Sequence, residues 1–157
     1  MKKALLFLIA AAACLGQDQD EANQTKFYRF DFVFKENEGG KLSGQRNYTA
    51  TGNRFSAIQL RSGEKIPVAN LKSGESTYLD VGTNIDCRIL QEKPEELQLY
   101  VAADTSTADS RVPPIVSQTK WSSNLLVPLK KPVIIFTSDG TGRKIQTQLE
   151  LTVTPLQ

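Results

Sequence analysis

The chain has 157 residues, 39% of them hydrophobic and 23% charged, with a formal net charge of +2 and no histidine. That length supports one domain with a moderate core and not two; and because removing Lys2 and Lys3 leaves 17 bases against 17 acids, the balance lacks the clustered cations that a nucleic-acid partner requires. The missing histidine removes Ser-His-Asp and Cys-His catalysis, histidine metal sites and the commonest general base near neutral pH.

The N-terminus carries a leader. Met1-Lys2-Lys3 is followed by an unbroken apolar run from Ala4 to Ala13, then by Cys14-Leu15-Gly16 and the polar stretch Gln17-Asp18-Gln19-Asp20-Glu21. Charge, apolar core, small residues and then polarity are the layout of a secretory signal peptide. The run falls short of the roughly 20 residues of a permanent membrane helix. Two endings compete. Cleavage after Gly16 leaves small residues at the positions the peptidase reads; alternatively Ala11-Ala12-Ala13-Cys14 is a degenerate lipoprotein signal with lipid on Cys14. The third residue before the cysteine is Ala11 rather than a branched apolar residue, which favours simple cleavage. Lipid at Cys14 would instead tie the protein to a membrane. The expected organisation is a signal peptide over 1–16, a polar tail over 17–25 and a single β domain over 26–157.

The remainder alternates with a period of two. Lys26 to Phe34 places Tyr28, Phe30, Phe32 and Phe34 on one face, with Arg29 and Asp31 on the other, as in a half-buried antiparallel strand. Such an aromatic stripe could stack bases or sugars, but burial in a core is the commoner use. Gly39-Gly40 marks the first turn. Lys41–Thr51 and Arg54–Leu60 read as strands joined at Gly52-Asn53. Ser62-Gly63-Glu64-Lys65 and Lys72-Ser73-Gly74-Glu75 read as turns, with Ile66-Pro67-Val68 between them as a short edge strand or loop. Thr77–Leu90 is a long extended segment, and Glu92–Glu96 turns into Leu97–Ala103. Asp104–Val112 reads as a mobile loop. Ile115–Pro128 carries the single tryptophan, Trp121. Val133–Phe136 and Lys144–Pro155, joined at Asp139-Gly140-Thr141-Gly142, form the clearest hairpin. The expectation is an all-β antiparallel sandwich or a partly open barrel.

Candidate chemistry is sparse. Once Cys14 is removed Cys87 stands alone, and Ile85, Cys87 and Ile89 share one strand face, so a small buried hydrophobe is the better reading than a reactive thiol. Glu95-Glu96, Asp104, Asp109 and Asp139 lie in turn-like surroundings. No calcium-loop spacing occurs among the acids, and neither glycine cluster matches a phosphate loop. No catalytic residue, metal site or cofactor is assigned, and the chain is expected not to be an enzyme. Trp121 reads as core filling, with a contact to a protein partner as the alternative.

From Tyr78 to Thr154 the sequence resembles the C-terminal conserved β-domain of secretins, the outer-membrane ring channels of type II and type III secretion and of type IV pili. The resemblance is carried by Tyr78-Leu79-Asp80-Val81-Gly82 leading to Ile85, by Pro113-Pro114-Ile115, by Pro132 ahead of Val133–Phe136, and by the closing Leu149–Thr154. Phe136-Thr137-Ser138-Asp139 stands where secretins usually carry Gly-Gly-Leu. The resemblance implies a truncated, divergent relative exported to the periplasm or outer membrane of a Gram-negative bacterium. It implies a structural or assembly role, through self-assembly or protein partners. The alternative is a standalone periplasmic sandwich that binds a protein, peptide or glycan with its loops.

Overall fold

The computed structural model describes residues 25–69, 76–108, 114–139 and 145–156. The expected leader with Cys14, most of the expected polar tail, the turns expected at Lys72–Glu75 and Gly140–Gly142, and Pro113 lie outside the described residues.

Eight strands make up the described chain: β1 (Phe27–Glu38), β2 (Lys41–Gly52), β3 (Ile58–Ala69), β4 (Ser76–Glu92), β5 (Glu96–Ala108), β6 (Val116–Pro128), β7 (Val133–Asp139) and β8 (Ile145–Leu156). They form two four-stranded antiparallel sheets, ordered β2-β1-β8-β7 and β3-β4-β5-β6. The architecture is the sandwich, not a closed barrel. The second sheet is a simple meander, whereas the first brings the earliest strand beside the last.

The core follows from the alternation. Tyr28, Phe30, Phe32 and Phe34 are all buried along one face of β1. In register with them on β8 stand Val153, Leu151 and Leu149, opposite Phe30, Phe32 and Phe34. The facing sheet supplies Ile85, Cys87 and Ile89 from β4, Leu97, Leu99 and Val101 from β5, Val127 from β6 and Ile58 from β3. Each fully buried Leu or Phe contributes about 1.5–3 kcal/mol, so the interlocked faces of β1, β8, β4 and β5 dominate stability.

The continuous apolar run Val133–Phe136 has a specific cause. A register shift between Ile134 and Phe136 inserts Ile135 as an extra residue. Val133 and Phe136 thus oppose Leu151 and Leu149, Ile135 is itself buried, and Ile134 faces solvent.

Three boundaries differ from the sequence reading. Arg54–Ala57 belongs to the crossing between sheets, not to β3. There Asn53 Oδ1 accepts hydrogen bonds from the Phe55 amide at 2.9 Å and from the Ser56 hydroxyl at 3.2 Å, a local capture that competes with a ladder. Ser62–Lys65, read as a turn, continues β3, because Gly63 lies directly across from Gly82 of β4. Asp104–Ala108, read as loop, continues β5, paired with Lys120–Val116 of β6. Its Thr and Ser side chains suit a pleated surface as well as they suit a loop.

Candidate interaction surfaces

Among the described residues each sheet ends on two strands with no further strand beside them, β2 and β7 in one and β3 and β6 in the other. The chain crosses between sheets at 53–57 and at 129–132, so β2 lies near β3 on one flank and β6 near β7 on the other. The second crossing is pinned to both sheets: the Leu129 amide donates to the Glu95 carbonyl at 2.9 Å and the Lys130 amide to the Val153 carbonyl at 2.7 Å. Lys130 holds a φ of 63° there, a conformation that non-glycine residues adopt at a cost.

Trp121 lies between the core and the open surface of β6. It is half-buried on β6, packed against the core, with its ring centroid 5.3 Å from that of Phe136 on β7 and the planes tilted by 39°. The pair closes the β6–β7 flank. Beneath it a void of about 10 Å³ touches Phe34, Ile85 and Leu149, room for at most one water and none for a ligand. On the β1–β2 side the guanidinium of Arg46 lies 4.7 Å over the Phe34 ring and pairs with Glu36 at 3.0 Å.

The outer face of the meander carries an open depression of about 340 Å³ around Ala102 and Ala103, bordered by Asp86, Tyr100, Asp104, Lys120 and Trp121 among others. Two ion pairs fix its rim, Arg61–Asp86 at 2.7 Å and Lys120–Asp104 at 3.4 Å. The rim is polar and its charges are matched.

The motif residues scatter along the fold. Val81 and Ile85 point into the core from β4, whereas Asp80 is exposed on the same strand. Gly82 has a φ of 150°, and a Cβ there would stand 2.1 Å from the Ser62 carbonyl oxygen. Pro114 and Ile115 lead into β6 and Pro132 leads, exposed, into β7. They form no single site; they sit at strand starts and at one close backbone approach. The linear sequence does not disclose Gly63 and Ser106 as partners of Gly82, or Lys130 as the pinned corner, because each role depends on how distant segments meet. Cys87 is fully buried, and burial pushes its thiol up to about 12. Among the described residues no three metal-ligating side chains gather, and no helix is long and apolar enough to cross a membrane.

Against this geometry the fold is that of the secretin domain. The chain is similar to the type II secretion system secretin GspD of Escherichia coli K12, at 9% identity and a TM-score of 0.58 over 88% of this chain and 52% of that one. It is also similar to InvG, the secretin of the Salmonella SPI-1 type III secretion injectisome, at 7% identity and a TM-score of 0.51 over 85% of this chain and 62% of that one. The outer membrane complex of the type II secretion system of Klebsiella pneumoniae, with PulD, PulS and the PulC HR domain, matches at 8% identity and a TM-score of 0.50 over 85% of this chain and 39% of the other. The likeness thus reaches well beyond Tyr78–Thr154 into the first strands, and this chain spans about half the length of the GspD chain. No family model and no curated protein matches the sequence.

Proposed function

We propose that this chain is a non-enzymatic, exported envelope protein with a structural or assembly role in secretion or pilus machinery, joining copies of itself or a larger channel by strand pairing. The observation that carries this reading is the four-stranded antiparallel meander with open edges β3 and β6, within a secretin-like fold. Four alternating strands leave β3 and β6 running in opposite directions. A copy set beside the first in the same orientation therefore extends the ladder in antiparallel sense, in a head-to-tail contact that can close into a ring. The neutral balance of charge after the leader agrees with protein partners rather than nucleic acid, and the outer-membrane setting of the similar Klebsiella complex agrees with an envelope location.

Absolute mass by light scattering after size exclusion tests it, on the chain from Gln17 onward, in buffer and in mild detergent. A large closed oligomer in detergent is the expected result. A monomer in both conditions overturns self-assembly and leaves pairing with a larger channel, read as co-elution with a secretin. The depression around Ala102, with Tyr100 and Trp121 beside its charged rim, favours a second reading, a standalone module that binds a protein, peptide or glycan on the meander's outer face.

A further inference from the structure

Alternation along the meander sends two sets of side chains to opposite faces. Ile85, Cys87 and Val101 turn into the core, so their neighbours in sequence turn outward from the central strands. Register aligns these outward residues in three rows. Asn84, Asp104 and Lys120 form one, Asp86, Ala102 and Ser122 the next, and Arg88, Tyr100 and Asn124 the third. Strands lie about 4.8 Å apart and alternate residues about 6.7 Å apart, so the rows cover roughly 10 Å by 13 Å. The middle row is low: Ala102 and Ser122 lie in the depression of about 340 Å³ that the longer side chains border.

The carboxylates beside it are held in place. The Arg61 guanidinium donates to Asp86 at 2.7 Å and is itself tied to the Leu60 and Ile85 carbonyls at 2.9 and 3.2 Å. The Gln118 amide donates to both oxygens of Asp104 at 3.0 and 3.2 Å, and Lys120 stands 3.4 Å from the same carboxylate. Such anchoring lowers the ordering cost of binding. Asn84 and Ser122 add a carboxamide and a hydroxyl, both exposed.

Three properties narrow the ligand. The β5 backbone is bonded on both sides, to β4 and to β6, so this face recognises by side chains and cannot take up a strand. Its charges cancel in pairs, Arg61 with Asp86 and Lys120 with Asp104, which leaves no strong field to draw a polyanion or a polycation. An apolar partner would strip water from both ion pairs and return no hydrogen bonds. A neutral ligand rich in hydroxyls meets all three conditions. Each hydroxyl both donates and accepts, so neighbouring hydroxyls can donate to Asp104 and accept from Lys120. Tyr100, 36% exposed at one end, offers an aromatic surface with a polar tip to the C–H face of a sugar ring.

We propose that the outer face of β4, β5 and β6 around Ala102 binds a neutral oligosaccharide, with Asn84, Asp86, Asp104 and Lys120 bonding its hydroxyls and Tyr100 carrying one ring. The site rests on the second reading above, in which this face binds, and is independent of self-assembly through β3 and β6.

The test titrates the chain from Gln17 onward with cellotriose, maltotriose and chitotriose, followed by NMR of the backbone amides. Expected are saturable shifts with at least one of them, clustered at Asn84–Arg88, Tyr100–Asp104 and Lys120–Asn124. Tyr100→Ala and Asp104→Ala should each weaken that binding about tenfold, the size of one lost aromatic or charged contact. Ala102→Leu, which fills the floor from the solvent side and leaves the core untouched, should abolish it. Asp31→Ala, on β1 in the other sheet, should bind as the unchanged chain does. The amide spectrum of each variant reports its folding. No shifts on this face with any of the three sugars at millimolar concentration overturn the inference, as does undiminished binding by Ala102→Leu. A capped peptide of glycine, serine, asparagine and tyrosine separates the two readings. Shifts here with the peptide alone overturn the saccharide and keep the binding face; shifts here with neither overturn both.

Discussion

At the residue scale, burial decides what Cys87 does. Its thiol is enclosed between Ile85 and Ile89 on the core face of β4, opposite Ile58 and Val101. With a pKa pushed up to about 12 from 9.0 by desolvation, the folded protein holds the protonated form. The sign follows from linkage: a folded pKa above the unfolded one gives stability that is complete below pH 9 and is lost as pH climbs towards 12. Tyr28 acts in the same direction, its hydroxyl raised above 10.0 by burial first and then by the neighbouring carboxylate of Glu92. Chemical denaturation between pH 8 and 12 should show stability falling steeply at the alkaline end, with a shallower fall in Cys87→Ala. A thiol reagent at neutral pH should label the native protein only as fast as it opens, and label it at once in denaturant. Lys130 gives a second test: with its φ of 63°, Lys130→Val should lower stability by about 1–2 kcal/mol, whereas Lys130→Gly should be neutral or stabilising by urea titration.

Elements differ in how much a single change costs them. Phe32 of β1 is fully buried, opposite Leu151 of β8 and Tyr48 of β2, and Phe32→Ala should lose about 3–5 kcal/mol in a denaturant titration. On β4 the sensitive position is the smallest one. Gly82→Ala places a methyl group against the Ser62 carbonyl, and since that obstacle is backbone it cannot move aside cheaply. Hydrogen exchange should show the β3–β4 hairpin opening while Leu97–Val101 of β5 stays protected. The period-two pattern made most strands legible in the sequence: the Tyr28-Phe30-Phe32-Phe34 stripe and Ile85-Cys87-Ile89 each declare their buried face. What the linear pattern hid was pairing. Gly63 looks like a turn until Gly82 is set across from it, and Asp104–Ala108 looks like a loop until Lys120–Val116 is set beside it. The surfaces were less legible still. An open edge is defined by the strand that is absent, and no residue type announces that.

For the whole molecule, topology separates the two sheets in time. β3 to β6 pair in chain order, so their contacts close short loops, whereas Phe27 must find Leu156 at the far end of the domain. Loop closure over that span costs more and slows folding. Pulse-labelled exchange during refolding should protect Leu97–Val101 before Phe30–Phe34; simultaneous protection would argue for a single concerted step. The same arrangement bears on biosynthesis. A ribosome delivers β1 first and β8 last, so the stripe of four aromatics waits for the facing sheet to cover it and longest of all for the strand that flanks it. During that interval the nascent β1–β2 segment is the stickiest part of the chain, and a holding chaperone is best placed to shield it until release.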